Sequence, residues 1–124
     1  MTRRDARLPK PITPELHGAL DYGFLALNVI VPRLLRLPSR ARAVFAAFGL
    51  VQGGLNAITD QPLAARHLVP FALHGRIERD SLPIYLGLPL LTGILRDRRT
   101  LAWFITAGAT LVTVYNLTDW QARA

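Results

Sequence analysis

Two long tracts of the chain carry no charged residue, Ala43 to Thr59 (17 residues) and Thr100 to Thr118 (19 residues). Each matches the roughly 17 to 25 residues that a helix needs to cross a bilayer. Two shorter neutral tracts, Tyr22 to Pro32 and Ser81 to Leu95, reach that length only if their helices begin earlier. The pattern therefore predicts four helices.

Local signals indicate where the two shorter tracts gain their length. Thr13-Pro14-Glu15 has the order of an N-cap, a proline in the first turn and a first-turn acid, which predicts a first helix from Pro14 to about Pro32. The third helix is expected to begin near Pro70 or Phe71 and to kink at Pro83, where a backbone donor is missing.

The main alternative is a soluble four-helix bundle, which should show a polar face on every helix. The second helix offers only Gln52, Asn56 and Thr59 as non-glycine polar residues, and the fourth offers threonines, Tyr115 and Asn116. We therefore expect an all-α, multi-pass protein of the cell membrane with four transmembrane helices. A buried hairpin pair in a soluble complex is the competing possibility.

The chain also matches itself. At an offset of 57, Leu16-His17-Gly18 aligns with Leu73-His74-Gly75, and at an offset of 59, Thr59-Asp60 aligns with Thr118-Asp119. Such collinear matches predict one four-helix domain over residues 12–124, built from repeat one (12–62) and repeat two (69–121), after a flexible tail at 1–11. Each repeat is then one helical hairpin, and the two hairpins run parallel.

These features resemble the small bacterial membrane proteins with the SPW repeat, whose unit has a His-Gly-x-x-Asp-like start and a Thr-Asp end. The resemblance covers about residues 12–120. Of the family's Ser-Pro-Trp signature, Val31-Pro32-Arg33 and Leu88-Pro89-Leu90 keep only the proline. It implies a two-helix membrane unit, and it implies no particular reaction.

Composition limits the chemistry. The chain has no cysteine, which excludes disulfides, thiolate metal sites and cysteine nucleophiles. Its net charge of +7 includes a dense set of arginines in the two hairpin loops, which we interpret as candidates for anionic lipid headgroups rather than nucleic acid. These arginines are Arg33, Arg36, Arg40, Arg42, Arg96, Arg98 and Arg99.

Hairpin geometry predicts a polar layer at the opposite end, where helices one and three begin and helices two and four end. Its expected members are His17, Asp21, Asp60, His74, Glu78 and Asp119. Each histidine lies four residues before an acid, so each pair shares a helix face. The favoured interpretation is structural: the histidines dock the hairpins through hydrogen bonds. Alternatives are a metal or haem site and a proton or ion path.

Small residues in the second helix, Gly49, Gly53 and Gly54, predict close backbone contact within the fold or across a homodimer. The overall expectation is a non-enzymatic membrane protein with a packing or partner-binding role. It would need no metal and no cofactor. Its partners would be the bilayer and another copy or another membrane protein.

Overall fold

The computed structural model describes residues 10–122, and in this part the chain forms four α-helices. These are α1 (Pro14–Leu34), α2 (Ser39–Ala57), α3 (Phe71–Thr92) and α4 (Arg98–Leu117), with a short 3₁₀ turn at Ile94–Arg96. The all-α prediction is confirmed. Residues 1–9 of the predicted tail lie outside the described residues.

Two of the four helices, α1 and α4, begin at a residue whose side chain caps the helix. Thr13 caps α1 by accepting a hydrogen bond from the Leu16 amide, as its sequence predicts. The Asp97 carboxylate caps α4 by accepting from the amide and the hydroxyl of Thr100. The hydrogen bonds from the Thr100 amide and from the Thr100 hydroxyl, together with the positive charge of nearby Arg99, hold the pKa of Asp97 below its ordinary value. This cap is therefore fully formed above the ordinary carboxylate pKa and weakens as the pH falls through the lowered value.

Helices α1 and α2 approach closely at two glycines of α2. A Cβ atom at Gly49 would lie 3.2 Å from the Leu25 carbonyl oxygen, and one at Gly53 would lie 2.6 Å from Leu25 Cδ2. Gly54 has no such neighbour, because a Cβ there meets nothing within 4 Å. Gly49 and Gly53 thus pack inside the fold against α1, whereas Gly54 makes no contact of this kind.

Substituting valine at Gly49 is expected to destabilise the protein by about 1 to 3 kcal/mol, because the new side chain must push α1 and α2 apart. Gly54→Val is the matched control in the same helix. Thermal unfolding of the purified variants measures the difference. Equal melting temperatures for the two variants would contradict the packing described here.

The two repeats make the same contacts at the predicted offsets. Before α1, Ile12 pairs with Thr118 at the end of α4, and before α3, Val69 pairs with Thr59 at the end of α2. In the first pair the Ile12 amide donates to the Leu117 carbonyl; in the second the Val69 amide donates to the Ile58 carbonyl. Each repeat therefore docks its N-terminal segment on the C-terminal end of a helix of the other repeat, so both pairs join the two repeats.

Only one helix in the described part of the chain, α4, is long and apolar enough to cross a membrane by length and composition. The expectation of four such helices is thus not supported by that criterion. Helices α1 and α3 fail this criterion for different reasons. The buried polar residues of α1 lower its hydropathy, and α3 carries Arg76, Glu78, Arg79 and Asp80 near its start.

Candidate metal centre between the two repeats

The two histidine–acid pairs of the sequence meet in the interior. His17 and Asp21 lie one turn apart on α1, and His74 and Glu78 lie one turn apart on α3. Both imidazoles are fully buried, and Asp21 is 2% exposed while Glu78 is 9% exposed. The structure therefore brings together four of the six residues of the predicted polar layer.

The four side chains face each other through one atom each. Asp21 Oδ2 lies 3.2 Å from His17 Nε2 and 3.1 Å from His74 Nε2. Glu78 Oε2 lies 3.5 Å from His17 Nε2 and 3.7 Å from His74 Nε2. The two imidazole nitrogens and the Asp21 oxygen thus converge between α1 and α3, and the Glu78 oxygen lies slightly farther out.

Two threonines fix the orientation of the imidazoles. Thr118 Oγ1 lies 2.9 Å from His17 Nδ1, and Thr59 Oγ1 lies 2.7 Å from His74 Nδ1. Each hydroxyl already donates its proton to a carbonyl of its own helix, that of Val114 or Leu55. The hydroxyl must then accept from Nδ1–H, so in the neutral form of the imidazole Nε2 carries the lone pair and faces the cluster.

Gln52 of α2 holds the outer oxygens of the two acids. Its Nε2 lies 3.0 Å from Asp21 Oδ1 and 3.4 Å from Glu78 Oε1 and donates to both. The other oxygen of each carboxylate is the one that faces the histidines. Gln52 therefore orients both carboxylates, as the threonines orient both imidazoles.

The inner atoms of the cluster have no hydrogen-bond partner. They are His17 Nε2, Asp21 Oδ2, His74 Nε2 and Glu78 Oε2. Although the nitrogens and oxygens approach to 3.1 Å, their alignment does not make a hydrogen bond. Buried polar atoms without partners are rare and costly, so four of them at one point require an explanation.

Aromatic rings close the end of the cluster. The centroid of the Trp120 ring lies 4.6 Å from that of the His17 ring and 5.8 Å from that of the His74 ring. Phe71 packs against both imidazoles as well. Trp120 reaches this position because Gly75 beneath it has no side chain; a Cβ there would lie 2.6 Å from the indole. These rings separate the cluster from solvent at the end of the bundle.

Two members of the predicted layer do not join the cluster. Asp60 is exposed and its Oδ1 lies 2.7 Å from Nδ1 of His67, itself exposed in the connection between the repeats. Asp119 lies beyond α4 and accepts from the Gln121 amide. The reason is local: each Thr-Asp pair ends a helix, the threonine turns inward to a histidine, and the next residue turns outward.

The structure adds three residues that sequence analysis did not place in the site: Gln52, Thr59 and Thr118. The threonines could have been found, because both occur in the aligned Thr-Asp pairs of the two repeats. The sequence marks Gln52 only as one of the few polar residues of the second helix. The seven loop arginines lie at the far end of the bundle from this cluster and are exposed, and Arg99 donates to the Leu35 carbonyl between the two loops.

The arrangement suits a small cation better than a haem. One ligand atom each from His17, Asp21 and His74 lie within 4.8 Å of one another, the spacing of donors around one ion. A haem with both histidines as axial ligands needs a flat macrocycle between the two Nε2 atoms. Asp21 Oδ2 occupies that space, and the two imidazole centroids are only 5.3 Å apart.

Comparisons of the chain with family models, with curated proteins and with solved structures each gave no match. The resemblance to SPW-repeat proteins therefore stays a prediction, and the case for a function depends on the geometry of the cluster.

Proposed function

We propose that this protein is an integral membrane protein that binds one divalent transition-metal ion between its two repeats. The observation that carries the proposal is the set of four buried, unpartnered donor atoms that converge from α1 and α3. An ion at their centre would satisfy all four at once. This is the ligand alternative to the purely structural role favoured by the sequence pattern.

Charge supports the same conclusion. The two carboxylates bring negative charge into a buried site, which is costly unless a partner compensates it. No lysine or arginine contacts the cluster within residues 10–122. A divalent cation would neutralise the two carboxylates.

The donor set also indicates the class of ion. Two imidazoles and two carboxylates are borderline-to-hard ligands that suit Zn²⁺, Fe²⁺ and Mn²⁺, and the cluster has no thiolate or thioether to favour Cu⁺. The threonines and Gln52 supply the outer hydrogen bonds that metal-binding histidines and carboxylates usually have.

The membrane location is supported by the direction of the side chains. On α1 the polar residues His17, Asp21 and Asn28 are buried, while large apolar residues such as Leu34, Val51 and Leu91 are 75%, 73% and 87% exposed. Only 17% of the apolar window of α4 is buried, unlike the core helix of a soluble bundle. Between Leu16 and Pro32 of α1 the only aspartate, glutamate, lysine or arginine is Asp21, and its side chain is buried. The outer surface of this part of the helix is therefore free of charge.

Membrane insertion is tested by carbonate extraction of membranes from cells that express the tagged protein. The protein is expected to stay in the membrane pellet. Its release into the supernatant would contradict the membrane part of the proposal and leave the metal part intact.

Metal binding is tested by equilibrium dialysis of chelator-stripped, detergent-solubilised protein against Zn²⁺. The wild type is expected to bind about one ion per chain, as a single four-donor site requires. His17→Gln and His74→Gln should each abolish this binding. His67→Gln is the matched control, because His67 is outside the cluster. Equal zinc binding by all four proteins would refute the site.

A further inference from the structure

One member of the cluster is held less tightly than the other three. Glu78 Oε2 lies farther from both histidines than Asp21 Oδ2 does, and the hydrogen bond from Gln52 is 3.4 Å to Glu78 against 3.0 Å to Asp21. Glu78 is also the most exposed of the four residues. At the equivalent position of repeat one stands Asp21, whose side chain is one methylene shorter and therefore has one fewer torsion to fix.

A cavity lies beside this residue. It has a volume of about 170 Å³ between α3 and α4, and its walls are Glu78, Arg79, Leu82, Leu111, Val112, Tyr115 and Asn116. A second cavity of about 300 Å³ shares Leu82 and Val112 with the first. The two cavities together form a groove along α3 and α4, the α3–α4 groove. None of His17, Asp21 and His74 lines either cavity, so the groove reaches the cluster only at Glu78.

The groove follows from a difference between the repeats. At the offset of 59, Gln52, Gly53 and Asn56 of α2 correspond to Leu111, Val112 and Tyr115 of α4. In repeat one, Gly53 admits Leu25 and Gln52 covers the two carboxylates. In repeat two, the larger side chains line the groove. The first repeat thus closes its side of the cluster, and the second leaves an apolar groove.

From these observations we infer that His17, Asp21 and His74 are the permanent ligands and that Glu78 is displaced by a small, neutral exogenous ligand that reaches the ion through the α3–α4 groove. This inference rests on the proposed metal site. Three protein ligands with an exchangeable fourth position are typical of reactive rather than structural metal sites, and two histidines with one carboxylate are the usual set for non-haem Fe²⁺. A neutral ligand fits this route because the groove is lined mainly by apolar side chains, with Arg79 and Asn116 as polar residues beside Glu78.

The test uses Fe²⁺ as the metal and nitric oxide as the neutral ligand. Iron-loaded protein is expected to give the EPR signal of a high-spin iron–nitrosyl complex, and stopped-flow absorbance gives the rate at which it forms. Val112→Phe, which fills the shared wall of the two cavities, should slow this rate by about tenfold, as an added barrier of about 1.4 kcal/mol would. Val51→Phe, on the outer surface of α2, is the matched control and should leave the rate unchanged.

A second variant tests the role of Glu78 itself. Glu78→Gln should retain iron and bind nitric oxide faster than the wild type, whereas Asp21→Asn should lose the iron. The iron content of every variant is measured first, which separates the two hypotheses. Absence of iron from the wild type would refute the metal site. Stoichiometric iron with no nitrosyl signal, or equal rates in Val112→Phe and Val51→Phe, would refute the groove and leave the metal site standing.

Discussion

Replacing Asp21 by asparagine is expected to stabilise the metal-free protein and to abolish its stabilisation by zinc. In the variant the amide oxygen can still accept from Gln52, and the buried negative charge of the Asp21 carboxylate is removed. Since a buried charge without a compensating cation is costly, the metal-free variant should gain about 1 to 3 kcal/mol.

In the presence of zinc the order reverses. The wild type should gain about 4 kcal/mol at a free zinc concentration a thousandfold above its dissociation constant, or on the order of 10 °C in melting temperature. Asp21→Asn should gain nothing. Thermal unfolding with and without chelator measures both effects. If the histidines and acids only dock the hairpins as charged hydrogen-bonded pairs, Asp21→Asn would destabilise the protein under both conditions.

The second large effect concerns the threonines that orient the imidazoles. Thr59→Val and Thr118→Val keep the shape of the side chain but remove the acceptor of Nδ1–H. The imidazole can then move its proton to Nε2, which blocks the donor atom. Zinc affinity is expected to fall by about 10 to 100-fold in each variant, the usual effect of losing such an outer partner.

Controls separate this effect from a general loss of stability. Thr59→Ser and Thr118→Ser should restore the affinity, because serine supplies the same hydroxyl. Thr113→Val removes a threonine of α4 that makes the same hydrogen bond to a helix carbonyl but is exposed and distant from the histidines. Competition with a zinc-binding dye measures the affinities. A loss in Thr113→Val equal to that in Thr118→Val would contradict the orienting role.

The helices and the repeat were accessible from the sequence because their signals are local. The cap at Thr13, the start of α3 at Phe71 and the spacing of His17 from Asp21 all depend on neighbouring residues, and the structure has the first two where they were expected. The convergence of the two histidine–acid pairs agrees with the predicted duplication, since residues at equivalent positions of α1 and α3 meet.

The ligand geometry was not accessible, because it depends on which of two adjacent residues turns inward. In Thr59-Asp60 and Thr118-Asp119 the sequence favours the charged residue, but the helix ends direct the threonines to the histidines. The role of Gln52 depends on the packing of α2 against both α1 and α3, which no local pattern encodes. The groove arises from a difference between the repeats, and an alignment that seeks similarity does not reveal it.

X-ray absorption spectroscopy of the zinc-loaded protein tests the central claim most directly, because it reports the identity of the atoms around the ion. The metal site predicts two imidazole nitrogens and two carboxylate oxygens at about 2.0 to 2.2 Å, in a tetrahedral arrangement. His17→Gln and His74→Gln should lose this spectrum, and His67→Gln should keep it. A wild-type spectrum with oxygen ligands alone and no imidazole contribution would contradict the account.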